Sequence, residues 1–525
     1  MPDLVAATIA TPSFWPRATV LAESLARQHP EIQLFALLLG EREDFPELER
    51  TPLTPVFPQE LRPALAPALL FRADEIALAA ALKPRLLEHL DRRRGARAAL
   101  WLDADTWVLA ALDSFLAKLA LRPLVATPFL SRPPHEPVVS PESLLRRAGI
   151  LSAGMFALRF ELGTREFLAF WRRQLERGCR NDPWLGLLYD QNWFDFALSF
   201  VDDAAIARDP SLHLGYWNVG EGVLARGERG WTLDGSPVRV LHASGFDPSS
   251  PARVTRHLAE ADVARVAGLA PLLAEYAAAV AAAPAAADPP SESLSPRRFR
   301  GLEVAIAPCL RRYLSAVDPL GERFPEPFDG AADDGFFAFL VEPLALAGGV
   351  LNRAALALWE SRTDLIHAFP DPGGADLAAY VAWLTQSGEG ERAGLDPVFL
   401  AGLRVGAATA ADGVAAPTRE KPRAAPAELR DPARALLATW RLDDLGGPPP
   451  WLVEAVGVTP PGQSPLPRWA MLLHRVDPLL QRSFPDPVGA DRRDFLTWLA
   501  AHEPATGAGP PAPEFGWAAL LRQSG

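Results

Sequence analysis

The chain reads as an α/β domain followed by a mostly α-helical C-terminal region, and three observations predict that division. In the first half, short apolar runs alternate with amphipathic stretches of helical spacing, the pattern of strands and helices in an open sheet. One of these runs, Ala98 to Leu102, ends in Asp103-Ala104-Asp105 and then resumes as Thr106-Trp107-Val108-Leu109. After Pro248 the composition shifts to alanine, proline and charge. These features predict a sheet domain over residues 1–250, an Ala-rich helix and linker over 251–296, and a helical region over 297–525.

The elements follow in order. Leu4 to Ala10 is a buried first strand, and Ala18 to Arg27, with Val20, Leu21, Ser24 and Leu25 on neighbouring turns, is the helix that completes a βα unit. Ile32 to Leu39, ended by Gly40, is the next parallel strand. Glu41 to Pro67 is rich in proline and charge and reads as irregular. Asp74 to Leu90 is helical, and Pro84 either kinks it or starts a new helix, because proline cannot donate an interior backbone bond. Lys83, beside that proline, is placed to meet a phosphate or is simply a solvated surface lysine. Pro123 to Thr127 and Ala153 to Leu158 are further strands, separated by a Pro-rich loop around Arg132 to Pro141 long enough to act as a lid. Gly163 to Arg177 is an amphipathic helix burying Phe167, Phe170, Trp171 and Leu175. Asp190 and Gln191 follow, as a helix cap or as groups facing a ligand. Val238 to His242 is the last strand.

Composition narrows the partners. The 525 residues hold 64 acids against 52 bases, a formal charge of -12, which argues against nucleic acid. Cys179 and Cys309 are the two cysteines, too few for a framework of bridges, and a reducing cytoplasm is the expected setting. No uncharged stretch reaches the roughly 18 apolar residues needed to cross a bilayer. No transmembrane segment is expected, and any membrane contact would be peripheral, at the inner face.

The chemistry centres on the acidic stretch. With strand alternation, Asp103 and Asp105 point to the same side, where two carboxylates repel unless a cation or donors lie between them. A divalent metal carrying a diphosphate suits that place. His242 also emerges from a strand end, where it is a third ligand or a buried core histidine.

Taken together, Ala6-Ala7-Thr8, Val20 to Leu25, Leu102-Asp103-Ala104-Asp105, Ser152-Ala153-Gly154, Asp190-Gln191 and His242-Ala243-Ser244-Gly245 resemble, in that order, a GT-A (Rossmann-like nucleotide-diphospho-sugar) glycosyltransferase. The similarity is to the family 8 group that includes glycogenin and bacterial lipopolysaccharide sugar transferases, and it spans about the first half of the chain. It implies that a divalent metal, Mn²⁺ or Mg²⁺, is held by Asp103, Asp105 and His242. It implies that Ala7 and Thr8 border the base and ribose of the donor, a nucleotide-diphosphate sugar with a UDP-sugar first in line, and that Asp103 also meets the ribose. Asp190 and Gln191 would lie beside the transferred sugar, Gly154 would let backbone approach it, and Lys83 would face the diphosphate. Gly245 matches the glycine of the family's closing motif, but Phe246-Asp247-Pro248 departs from its usual lysine-containing ending. The implied reaction is transfer, with retention, of a hexosyl group to a glycan, lipid-linked or protein acceptor in bacterial polysaccharide or related glycan assembly.

In the second half, Phe324-Pro325-Glu326-Pro327, Phe369-Pro370-Asp371-Pro372 and Phe484-Pro485-Asp486-Pro487 are each followed at nearly constant distance by an aromatic pair three residues apart. This is an internal repeat of helix, proline turn and helix, its aromatics more suited to small cores than to a sugar-binding shelf. Thr418 to Arg423 reads as a polar hinge. Two other functions remain open: a non-catalytic glycan-binding scaffold of the same fold, and a sugar nucleotidyltransferase. The second normally carries a Gly-rich phosphate loop after the first strand, and Thr11-Pro12-Ser13-Phe14-Trp15 is unlike one.

Overall fold

The computed structural model describes residues 3–132, 145, 148–182, 187–251, 253–258, 264–285, 296–318, 321–346, 349–385, 389–392, 394–405, 466, 470–471, 474, 483–487 and 491–501. The predicted lid (around 132–141), the Pro/Ala/Ser connector (286–295) and the 418–423 hinge lie wholly or mainly outside these residues. The chain divides into two compact units, Met1–Ser295 and Pro296–Gly525.

The first unit is a mixed α/β structure, as the alternating pattern predicts. Strand β1 (Leu4–Ala10) pairs in parallel with β2 (Gln33–Leu38), which in turn pairs with β3 (Thr54–Val56). On its other side β1 pairs in parallel with β4 (Ala98–Leu102), all five of whose residues are buried. Buried on both faces, these strands read as unbroken apolar runs. After β5 (Thr106–Val108) come β6 (Leu124–Pro128) and β7 (Leu151–Arg159), and β7 runs antiparallel between β4 and β6. The short pair β8 (Asn181–Asp182) and β9 (Leu187–Leu188) precedes β10 (Ala205–Ile206), which completes a seven-stranded sheet of order β10-β6-β7-β4-β1-β2-β3.

Helix α1 (Trp15–Gln28) follows β1, and α2 (Pro67–Arg72) leads into α3 (Glu75–Arg94). In α3 the Asp74 carboxylate caps the N-terminus by accepting from Ala77 N at 2.8 Å, and Gly95, at φ 68°, closes the C-terminus in the left-handed region. Pro84 lies inside this single helix rather than starting another. Beyond α4 (Asp113–Leu121), α5 (Leu162–Gly178) buries Phe167, Trp171 and Leu175 and leaves Phe170 half-buried. It is tied to α3 by the Arg165–Asp91 and Arg172–Glu88 ion pairs.

A second, three-stranded sheet has the order β11-β15-β5. Strand β11 (His213–Leu214) is followed by the meander β12 (Leu224–Gly227), β13 (Gly230–Leu233) and β14 (Ser236–Pro237), and then by β15 (Val240–His242). The 270–282 helix, placed by the sequence in the connector, buries Leu272, Leu273 and Tyr276 in the core of this unit, with the Tyr276 ring 5.9 Å from that of Trp107.

In the second unit the described helices include Pro308–Val317, Phe336–Val341, Arg353–Ser361, Leu377–Thr385 and Arg492–Ala501. It also holds an antiparallel sheet of Pro343–Leu346, Gly349–Asn352 and Arg404–Val405, which the helical reading did not foresee. An apolar run such as Pro343 to Leu351 has no period that separates strand from helix. Each Phe-Pro-acid-Pro phenylalanine meets its downstream pair in a nearly constant way. Phe324 lies 5.3 Å from Phe336 and from Phe339, Phe369 lies 5.3 and 6.2 Å from Tyr380 and Trp383, and Phe484 lies 5.3 and 6.0 Å from Phe495 and Trp498. Among the described residues no helix is long and apolar enough to cross a membrane.

Candidate functional site

Strand β4 stops at Leu102 because the next backbone groups are used in a turn: Asp103 N donates to Gly154 O on β7 at 2.9 Å, and Thr106 N donates to Asp103 O at 3.0 Å. This turn, rather than strand alternation, gathers Asp103 and Asp105. The chain then leaves as β5, whose antiparallel pairing with β15 sets His242 opposite Thr106, while Ala243 N donates to Asp105 O at 2.9 Å. A residue 137 positions beyond Asp105 is thereby fixed beside it, with His242 Nε2 3.1 Å from Asp105 Oδ1. One ligand atom from each of Asp103, Asp105 and His242 lies within 4.8 Å of the others.

Gly154 explains how these groups come so close. A Cβ there would stand 2.4 Å from His242 Cε1 and 3.1 Å from Asp103 Oδ2. The space a side chain would take at this position is occupied by the histidine ring, and glycine is needed to seat that ring.

Lys83 reaches into the same cluster from α3. Its Nζ lies 2.8 Å from Asp103 Oδ1, 2.7 Å from Asp190 Oδ2 and 3.1 Å from Ala153 O. Burial alone would lower the lysine pKa, but the Asp103 and Asp190 carboxylates outweigh it and hold the pKa above its ordinary value. These contacts set the ammonium among two carboxylates and a backbone carbonyl. Trp101 adds an indole N–H to Asp103 Oδ1 at 2.8 Å. Asp103 Oδ2 faces the His242 side.

Asp105 is held at about 2, since His242 outweighs the opposing effect of burial. His242 is shifted upward, burial acting against the pull of Asp105. Its other nitrogen, Nδ1, lies 3.0 Å from His213 Nε2, and His213 Nδ1 lies 2.9 Å from Thr127 Oγ1. Trp217 stands edge-on to both imidazoles, at 5.3 and 5.5 Å between ring centroids.

The cluster opens into a cavity of about 910 Å³. Asp103, Asp105, Asp190, Gln191, Lys83, His242 and Gly245 line it, and Gln191 is oriented by accepting Ala153 N at 3.0 Å. Gly245 adopts φ 70° at a point where a side chain would strike His257 and Thr255. Ala7 and Thr8 are fully buried in β1, and the wall at that end is made by Ile9 and Thr11 instead. The reason is geometric, since β1 remains core for two more residues before its end reaches the opening.

The sequence reading missed Arg17, Arg253 and Arg256, which also line the cavity and form no ion pair with a described residue. Nor did it single out Tyr216, Trp217 or His213. Arg17 at the start of α1 and the Arg253-to-His257 segment had signals only in the basic residues themselves, with no spacing to link them.

The donor set can be tested against a metal ion. Two carboxylates and an imidazole on one side of an open cavity are oxygen-rich ligands with one borderline nitrogen, a set that fits Mn²⁺ or Mg²⁺. A separation of 3.1 Å between Asp105 Oδ1 and His242 Nε2 is that of adjacent positions around an ion with bonds of about 2.1 Å.

No protein-family model and no curated protein matches the chain. Solved structures are similar at a low level. The galactosyltransferase LgtC, in complex with donor and acceptor sugar analogs, is 17% identical over 51% of this chain and 95% of that one, with a TM-score of 0.30. The bifunctional glycosyltransferase WbbM is 12% identical over 42% of this chain and 41% of that one, TM-score 0.28. The glycosyltransferase GlyE of Streptococcus pneumoniae TIGR4, in its apo form, is 13% identical over 46% and 54%, TM-score 0.30.

Proposed function

We propose that the first unit is a GT-A glycosyltransferase that moves a sugar from a nucleotide-diphosphate donor to a glycan, lipid-linked or protein acceptor. The observation that supports it most is the convergence of Asp103, Asp105 and His242, within 4.8 Å, at the wall of a cavity of about 910 Å³. The second unit is proposed as an accessory region built from repeated Phe-Pro-acid-Pro units, each with its aromatic triad as a small core.

The residues have separable tasks. Asp105, His242 and the free oxygen of Asp103 would hold a divalent ion, which when bound supplies positive charge to the departing diphosphate. Arg17, Arg253 and Arg256 face the same volume without carboxylate partners among the described residues, and they take the phosphate-neutralising task expected of Lys83. Lys83 instead holds Asp103 and Asp190 in place through its two ion pairs. Gln191, with its carbonyl oxygen engaged by Ala153 N, presents its amide N–H groups to a bound sugar. Trp101, Tyr216 and Trp217 wall the cavity and keep water from the breaking bond.

A thermal-shift panel of nucleotide sugars, with and without Mn²⁺, tests the reading. A metal-dependent rise in melting temperature with one donor class, together with release of the nucleoside diphosphate, is expected. Glycan binding without nucleotide release would favour a scaffold. Pyrophosphate formed from a nucleoside triphosphate and a sugar phosphate would favour a nucleotidyltransferase.

A further inference from the structure

The chain of hydrogen bonds behind His242 has a direction that can be worked out from one end. Thr127 Oγ1 donates its single proton to Met155 O at 2.8 Å. At the 2.9 Å contact with His213 Nδ1 the hydroxyl can therefore only accept, so His213 carries its proton on Nδ1. His213 is 1% exposed and forms no ion pair with a described carboxylate, and a charged imidazole there would lack compensation. In the neutral ring the Nε2 atom is an acceptor, and the 3.0 Å contact to His242 Nδ1 is then made by the His242 N–H. The consequence falls on the far side of the second ring: with Nδ1 committed to His213, Nε2 is the nitrogen turned toward Asp105 Oδ1 3.1 Å away, and it is the atom a cation would take in place of a proton.

We infer that Thr127 and His213 are positioning residues that fix the tautomer and ring orientation of His242, so that its Nε2 lone pair is presented to a divalent cation beside Asp105. This inference rests on the metal site proposed above and adds to it two residues that touch neither ion nor substrate. The relay is held in place by secondary structure. His213 enters on β11, in register with Val240 of β15, so that it backs His242 from the neighbouring strand. Thr127 enters from β6, and the two imidazoles lie nearly parallel, with planes 23° apart and centroids 5.2 Å apart. A bond from the outer nitrogen of a metal-binding histidine to a fixed partner sharpens both tautomer and aim.

The test uses the full chain and Mn²⁺ alone, read by calorimetry and by the imidazole-nitrogen coupling to bound Mn²⁺ in pulsed EPR. His213→Asn retains a group for Thr127 but cannot reach His242, whereas His213→Gln places an amide oxygen near the lost Nε2. The expected result is Mn²⁺ affinity weakened roughly 10- to 100-fold in His213→Asn with the nitrogen coupling diminished, and restored to within about 3-fold of the parent in His213→Gln. Thr127→Val, which frees the His213 tautomer without opening a large cavity, is expected to weaken binding several-fold and serves if His213→Asn does not fold. Parental affinity and coupling in folded His213→Asn, or in Thr127→Val, would overturn the inference and leave the metal site standing. Absence of Mn²⁺ binding by the parent chain would overturn the metal site itself, and this inference with it.

Discussion

The acids of the second unit's proline turns and those of the first unit's cavity are used in opposite ways. In the turns, carboxylates accept from nearby backbone. Asp376 Oδ2 accepts Asp371 N at 2.8 Å, Asp371 Oδ2 accepts Ala375 N at 2.8 Å, Asp491 Oδ2 accepts Asp486 N at 2.9 Å, and Asp318 accepts Glu322 N and Phe324 N. Each acid closes a turn within a few residues of itself and needs no ligand. In the first unit, Asp103, Asp105 and Asp190 are drawn together from separate places and held by side chains, Lys83 and His242, that come from elsewhere in the sequence. An acid whose partners are local is a device of folding. Acids gathered by partners distant in the sequence form a group that could hold a cation.

This contrast can be broken by substitution, beginning with the largest effect. Asp105→Ala or His242→Ala removes a ligand of the proposed ion, and donor turnover should fall by several kcal/mol of transition-state stabilisation, on the order of 10³-fold or more, in a nucleoside-diphosphate release assay. Lys83→Met leaves the buried Asp190 and the half-buried Asp103 carboxylates without their counter-ion, and urea unfolding should record a loss of about 3–5 kcal/mol. The acid limb of stability comes next. Asp105 titrates at about 2 in the folded chain against an ordinary 3.8, so its contribution is complete above pH 3.8 and is lost as pH falls toward 2. Metal-free protein should lose roughly 2 kcal/mol across that window relative to Asp105→Asn, followed by thermal melting at stepped pH. The smallest effect belongs to the second unit, where Asp371→Ala should cost about 1 kcal/mol in unfolding and leave donor turnover and Mn²⁺ affinity unchanged. Were Asp371→Ala to abolish turnover, the division between folding acids and working acids would fail.

The same contrast explains what could be read from the sequence. Strands buried on both faces announce themselves as apolar runs, and β1, β2, β4 and β7 lie close to where those runs predict them. Asp103 and Asp105 are conspicuous because an apolar run ends in them. Lys83 was visible but its surroundings were not, since nothing near it in the sequence tells that Asp190, 107 positions away, is its ion-pair partner. His213 lies in a two-residue strand, too short to carry a period, and its meaning arises only through the pairing of β11 with β15. Arg17, Arg253 and Arg256 carry no signal in the sequence, and only the fold turns them toward one cavity. Gly154 is conspicuous in the sequence as a glycine at a strand start, but its closeness to the ring of His242 could not be named from spacing.

The most direct measurement is manganese-edge anomalous diffraction from crystals of the full chain grown with Mn²⁺ and a nucleoside diphosphate. The account predicts one strong peak about 2.2 Å from His242 Nε2 and from a carboxylate oxygen of Asp105, with the diphosphate on its cavity side. Density showing nucleotide bound with no metal at these three residues, or His242 Nε2 hydrogen-bonded to Asp105 with the ion elsewhere, would contradict it.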